Sequence, residues 1–244
     1  MLKLFGICKK IPLFIFQSYN EYLTDKNIEN IYYLKQYNPE FIFYCFSEKE
    51  CEYFIKNNFS IYIYNAYKSL IPFEYKRDLW KYCILYKYGG IYIDIDLIPN
   101  NFKLIELTSN NYFTLETDYY YNKKLIYTGF IITRPKNILF LHAINNIIDN
   151  ISNKYYGITA SYPTGSGLLT NINNTYNIIK TTIDFNGKYI IYKYNRMNKI
   201  IFYNNINNHS YKYLWNCKRI YKCQKIIFGH LYLNFFLLIT HSRR

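Results

Sequence analysis

The run YGGIYIDIDLIPNN, residues 88–101, places Asp94 and Asp96 one residue apart in an otherwise apolar stretch. Carboxylates this close repel each other unless a cation sits near them, and hard oxygen donors suit Mn2+ or Mg2+. Asp94 and Asp96 therefore read as half of a metal site whose other ligands belong to a phosphorylated substrate. Just upstream stand Arg77, Asp78 and Lys81. Facing the same cleft, Asp78 would bind sugar hydroxyls, and Lys81 or Arg77 would bind phosphate oxygens. The alternative is a plain surface ion pair between Asp78 and Lys81, three residues apart on one helical face.

Regular elements must hold these residues in place. Ile91, Ile93, Ile95 and Leu97 alternate with Tyr92, Asp94 and Asp96, which predicts a strand carrying both aspartates on one face, ~7 Å apart at ~3.3 Å per residue. A break near Pro99 puts them at the strand's carboxyl end, where open α/β sheets bind ligands. Residues 72–88 read as a helix, with Leu79, Tyr82, Cys83 and Tyr86 at spacings of three and four and Gly89 as its C-cap. Upstream, the text predicts strands at 13–19, 41–46 and 60–66, a helix over 25–37, and another opened by N-cap Ser47. Downstream come a strand at 125–135, a helix at 137–151 and a Gly-rich turn, YPTGSGLLT, at 162–170. Alternating strands and helices indicate an α/β sheet, and no internal repeat or long linker divides the chain.

Composition excludes more than it identifies. Half of the 244 residues are hydrophobic and only 9 are Gly and 6 Pro, so the chain is globular. The 30 Lys and Arg against 16 Asp and Glu give a net charge of +14, an attraction for anions. These charges are scattered singly, without a like-charge block, an RNP-like motif or a zinc-finger pattern, so nucleic acid is not the expected partner. The 6 cysteines form no CxxC pair, which points to free thiols in a reducing compartment rather than to zinc or disulfides. The N-terminus lacks a signal-peptide h-region, and the apolar stretch near the C-terminus is too short and too polar to span a bilayer. A soluble, cytoplasmic protein is expected, in the host cytoplasm if the source is viral, and no transmembrane segment.

The segment YKRDLWKYCILYKYGGIYIDIDLIP, residues 75–99, resembles the central motif of the glycosyltransferases with a DXD-containing sugar-binding region. This is glycosyltransferase family 32, which includes the yeast initiating α-1,6-mannosyltransferase and is remotely like the large clostridial glucosylating toxins. In that family a helix bearing an aspartate and, three residues on, an arginine and an aromatic leads into a GG turn and a DxD strand. Asp78, Lys81, Tyr82, Gly89, Gly90, Asp94 and Asp96 occupy those positions. IPLFIFQSY at 11–19 resembles the family's opening strand, and TGFIITRPKNILFLHAINNII at 128–148 resembles the segment after the DxD. TGSGLLT at 164–170 resembles its TGP turn, and HSYKYLW at 209–215 its late His and Trp. Lys81 replaces the helical arginine, Phe16 the first-motif histidine and Ser166 the proline of the turn.

The resemblance implies a GT-A-type nucleotide-diphospho-sugar transferase fold, an α/β domain with a mixed, mostly parallel sheet flanked by helices. It implies a single domain over 1–244, with a nucleotide-sugar half to about residue 105 and an acceptor half beyond. The implied activity is metal-dependent, retaining transfer of a sugar from a UDP- or GDP-sugar to a glycan or protein acceptor. Asp78, Lys81, Asp94, Asp96 and His209 would be catalytic, with His230 the alternative late histidine. Gln17, Tyr19, Arg77, Asp78, Lys81, Gly89, Gly90, Tyr92, Asp94 and Trp215 would bind the nucleotide-sugar. Mn2+ or Mg2+ would sit on Asp94 and Asp96, with Asp96 the direct ligand and Asp94 the ribose or water-mediated contact. Two rival readings stand beside it. A haloacid-dehalogenase-like phosphatase would use Asp94 as nucleophile and Asp96 as acid/base, although there the motif lies near the N-terminus and continues with Thr. The other is a non-catalytic basic binding protein.

Overall fold

The computed structural model describes residues 10–118, 123–186, 188–194, 197–204 and 210–222. The first half alternates β1 (Phe14–Tyr19), α1 (Asp25–Tyr37), β2 (Ile42–Ser47), α2 (Glu48–Asn58), α3 (Ile61–Ser69), α4 (Phe73–Tyr88), β3 (Gly90–Ile93) and β4 (Leu97–Pro99). After a 3-10 turn at Leu104–Leu107 follow β5 (Tyr112–Asp118), β6 (Lys123–Thr133), α5 (Ile138–Ser152), α6 (Ser166–Tyr176), β7 (Thr182–Phe185), β8 (Tyr189–Tyr194), β9 (Met197–Asn204) and α7 (Ser210–Asn216). Two helices start on reciprocal caps, of which the sequence announces Ser47. The Thr24 and Ser47 hydroxyls accept the amides of Asn27 and Glu50, whose side chains reach back to the cap amides.

Among the described residues, nine strands join one sheet in the order β2-β1-β3-β6-β5-β7-β8-β9-β4. β3 and β4 are third and ninth in that order, yet only Asp94, Ile95 and Asp96 separate them. That link spans at most about 14 Å, so the sheet must curl until its last strand stands near its third. Phe130 of β6 and Phe202 of β9 meet inside the curl with centroids 5.1 Å apart. The inner apolar cluster includes Ile93, Leu97, Ile183, Phe185 and Ile190. A second cluster lies on the opposite side, where α2 to α6 cover the sheet around Trp80, Tyr82, Tyr92 and Phe140. The sheet is α/β and mixed as expected, but its parallel share is smaller. β1–β2, β1–β3 and β5–β7 are parallel, and the other ladders antiparallel. Parallel pairing needs a crossover, and after β6 most strands return instead by short connections.

Three expected elements differ. Residues 61–66 form the start of α3, with Ser60 as its N-cap, rather than a strand. Alternation would pair Ile61 with Ile63, but Ile61 is 60% exposed while Ile63, Ala66, Tyr67 and Leu70 are buried at helical spacing. The apolar run after Gly90 is two strands, not one. The Asp94 amide donates to the Gly129 carbonyl at 2.8 Å, and the Leu97 amide then closes a turn on the Asp94 carbonyl at 3.1 Å. Of the Gly-rich turn expected at 162–170, residues 162–165 are turn and 166–170 already belong to α6.

Candidate active site

β1 and β3 run in parallel with Phe16 opposite Tyr92, so continuing that register brings Ser18 level with Asp94. The carboxyl ends of β1 and β3 therefore open on one edge. α4 runs back toward β3 through the Gly89 turn, which sets its first turns, and Arg77, Asp78 and Lys81 with them, over that edge. Gly89 has φ 63°, and a Cβ there would lie 2.5 Å from the Pro135 nitrogen, so a side chain is excluded on both counts.

Asp94 lies on the chain just past β3 and is 7% exposed. Its Oδ1 accepts the Tyr92 hydroxyl at 2.8 Å and faces the Arg77 guanidinium at 3.9 Å. Burial pushes its pKa up, but Arg77, Lys81 and the Tyr92 hydroxyl prevail and hold it below the ordinary carboxylate value. Asp96 is exposed. Its Oδ1 accepts from Asn27 Nδ2 at 3.1 Å, while Asn27 Oδ1 takes the Thr24 amide and hydroxyl. The N-terminus of α1 thus anchors the second aspartate.

Asp78 and Lys81 form a buried pair beneath this edge. Lys81 is 1% exposed, and its Nζ reaches Asp78 Oδ1 at 3.2 Å and the Thr128 carbonyl at 2.9 Å, lying 4.3 Å from the Tyr92 ring centroid. Burial lowers the Lys81 pKa, opposed by Asp78 and Asp94. Asp78 Oδ2 accepts the Thr164 hydroxyl at 2.8 Å. The surface ion pair weighed from spacing is thus an interior one. Lys81 supports the site from below and has no exposed face with which to grip phosphate. Arg77 is the more open cation, its side chain 22% exposed, with a buried Nε that has no hydrogen-bond partner among the described residues.

Other expected contacts are placed differently. Gly89 and Gly90 stand at the start of β3, about 13 Å of strand from Asp94, packed against Pro135 and Phe14. They shape the backbone rather than touch a ligand at the strand's far end. Tyr92 is fully buried and acts through Asp94. Trp215 donates its indole N–H to the Tyr156 carbonyl at 2.7 Å, with Lys218 over its ring. These described contacts tie it to the 156–218 region, not to the aspartates. Gln17 is buried and Tyr19 half-buried at the carboxyl end of β1, beside the edge. His209 and His230 lie outside the described residues.

The structure adds residues that spacing did not single out. Asn27 is one, hidden because an asparagine at the third helical position reads only as a cap. Thr164 is another, though it sits in the quoted TGSG turn. Tyr127 and Gly129 of β6 complete the wall behind Asp94. The Tyr127 hydroxyl is buried without a hydrogen-bond partner among the described residues, and a Cβ at Gly129 would come within 2.6 Å of Asp94 Oδ2. Tyr211 of α7 packs on Tyr75, and its pKa is pushed up to about 12 by burial and by nearby Asp78 and Glu74.

Asp94 and Asp96 could offer a divalent cation two carboxylates, part of a coordination shell. Both Asp94 and Asp96 engage Oδ1 with the protein, leaving Oδ2 without a hydrogen bond among the described residues, and the bare Gly129 keeps space beside Asp94 Oδ2. No group of three or more His, Cys, Asp or Glu side chains gathers among the described residues. A cation here would complete its shell from substrate or water.

Carboxylates at a strand's open end in an α/β sheet, backed by a buried Asp–Lys pair, are suited to a phosphorylated ligand held with a cation. Residues 24–124 match the family described as "Glycosyltransferase sugar-binding region containing DXD motif". Residues 24–124 thus carry a glycosyltransferase DXD sugar-binding region, which supports a sugar transferase over the phosphatase and the non-catalytic readings. Among solved structures it is similar to one titled "PaToxG Glycosyltransferase", at 13% identity and TM-score 0.52, over 69% of this chain and 70% of that one. That likeness concerns the fold. No curated protein matches the chain. Among the described residues, no helix is long and apolar enough to cross a membrane.

Proposed function

We propose that this protein transfers a sugar from a nucleotide-diphospho-sugar, a UDP- or GDP-sugar, to a hydroxyl of a glycan or protein, with a divalent cation and with retention of anomeric configuration. The observation that carries this reading is the convergence at one sheet edge of Asp94 and Asp96, each with an unengaged Oδ2, and Arg77, the open cation beside them. Mn2+ or Mg2+ held by these two aspartates would offset negative charge on the departing nucleotide diphosphate. Arg77, 3.9 Å from Asp94, is placed to exchange that carboxylate for a diphosphate oxygen. Asp78, oriented by Thr164 and Lys81, presents a fixed acceptor for donor-sugar hydroxyls. Tyr19 and Gln17 flank the edge where the nucleotide would lie, and His209 would close the site, as the family resemblance implies. Free Cys45, Cys51, Cys83 and Cys217 suit a reducing compartment such as a cytoplasm.

A screen of UDP- and GDP-sugars with Mn2+, read as released nucleotide, tests the proposal. At least one donor should turn over, and both a chelator and Asp96→Ala should abolish the reaction. Turnover that survives Asp96→Ala would overturn the metal assignment, and no turnover with any donor and acceptor would overturn the activity.

A further inference from the structure

Away from the aspartates, between α5, α6 and the 155–162 turn, lies a pocket of about 220 Å³. Asn146, Asn150, Asn171, Tyr155, Tyr162 and Tyr176 supply its polar and aromatic lining, and no charged side chain joins them. The amides are partly committed in a way that sets the pocket's chemistry. Asn146 Nδ2 donates to the His142 carbonyl at 2.9 Å, and Asn150 Nδ2 donates to the Pro163 carbonyl at 2.9 Å. With an amide N–H of each committed to the backbone, Asn146 and Asn150 keep an amide oxygen unengaged among the described residues, available to accept from a ligand. Asn171 has neither amide atom engaged among the described residues and offers both a donor and an acceptor.

The aromatic walls are held in place. Tyr162 is wedged between Gly157 and Gly167; a Cβ at Gly167 would lie 2.5 Å from its ring, and one at Gly157 would strike its Cβ. Tyr176 stacks on His142 with centroids 4.2 Å apart. Acceptor oxygens with no cation disfavour phosphate or carboxylate and favour a ligand that brings hydroxyl donors. Fixed aromatic faces favour one with an apolar C–H face as well. The volume falls below the ~300 Å³ at which drug-sized pockets begin and suits a single ring.

We infer that this pocket binds a neutral sugar residue. The same turn that supplies Tyr162 continues to Thr164, whose hydroxyl holds Asp78, so the pocket and the aspartate site share one wall. Its role as the place where part of an acceptor glycan is held rests on the transferase reading; its ligand class does not.

The test uses the full chain without any sugar-nucleotide. Saturation-transfer NMR and calorimetry against methyl glycosides of glucose, galactose, mannose and N-acetylglucosamine should show binding by at least one. Asn171→Leu and Asn146→Leu should each weaken it about tenfold, the effect of one lost hydrogen bond, while leaving Mn2+-dependent donor hydrolysis unchanged. Inorganic phosphate should not compete. No binding by any glycoside, or unchanged binding in both variants, would overturn the inference. Glycoside binding that depends on Asn171, in a protein that hydrolyses no donor, would support the pocket and reject the transferase reading.

Discussion

The buried pair beneath the site gives a sharp test of what Lys81 does. In Lys81→Met the apolar stem survives, so the volume change is tolerable and packing accounts for less than about 1.5 kcal/mol. What disappears is, among the described residues, the only cation within hydrogen-bond reach of the Asp78 carboxylate, at 3.2 Å in a setting where Lys81 is 1% exposed. Removing one partner of such a pair costs about 3–5 kcal/mol, because an uncompensated charge stays buried. Asp78→Asn strands the lysine in the same way and should lose a similar amount. The double variant Asp78→Asn/Lys81→Met removes both charges, leaving chiefly the Thr128 carbonyl without its 2.9 Å donor, a loss of about 1–3 kcal/mol. The double should therefore be more stable than either single. Urea unfolding at pH 7, with m values checked for constancy, measures all four corners of the cycle. If Lys81→Met is too unstable to purify, recovery of folded protein in the double carries the same meaning. Losses that simply add would refute the pair.

Asp96 is exposed, so Asp96→Asn should change stability by less than about 0.5 kcal/mol while abolishing metal-dependent donor turnover, measured as released nucleotide. Asn27→Ala should cost about 1 kcal/mol through the lost reciprocal arm of the α1 capping box and lower donor kcat/KM about tenfold by freeing Asp96, as thermal unfolding and kinetics would show. Gly129→Ala would press a Cβ to 2.6 Å from Asp94 Oδ2, with an expected loss of about 1–3 kcal/mol and weaker Mn2+ binding by calorimetry. The Asp94 pKa is depressed in the folded protein, so its stabilising contribution is present above the unfolded value of about 3.9 and lost as pH falls through the folded one. Acid unfolding of the wild type should accordingly show a steeper pH dependence below about pH 4 than that of Asp94→Asn.

Much of this site was legible from local chemistry. Asp78, Lys81, Asp94 and Asp96 stand out because charges in an apolar setting are expensive and their spacing sets which can meet. α2 begins at a hydroxyl cap, Ser47, written in the text, and Gly89 marks the end of α4 because a positive φ suits it. The resemblance to the DXD family was carried by these same residues.

What spacing could not supply was burial and the path of the chain after Ile93. Alternation is a local rule, and it would continue IYIDIDLI as one strand. Only the curled sheet, which needs Leu97–Pro99 at its far edge beside β9, breaks the run and turns Asp94 inward and Asp96 out. The same long-range packing makes Lys81 an interior support, Gly89 and Gly90 backbone pivots, and Asn27, 69 residues away in sequence, the anchor of Asp96. Residue type and order thus determined which chemistry was present. Tertiary structure decided which groups face a substrate, because exposure and the effective strength of a charge depend on everything packed around it.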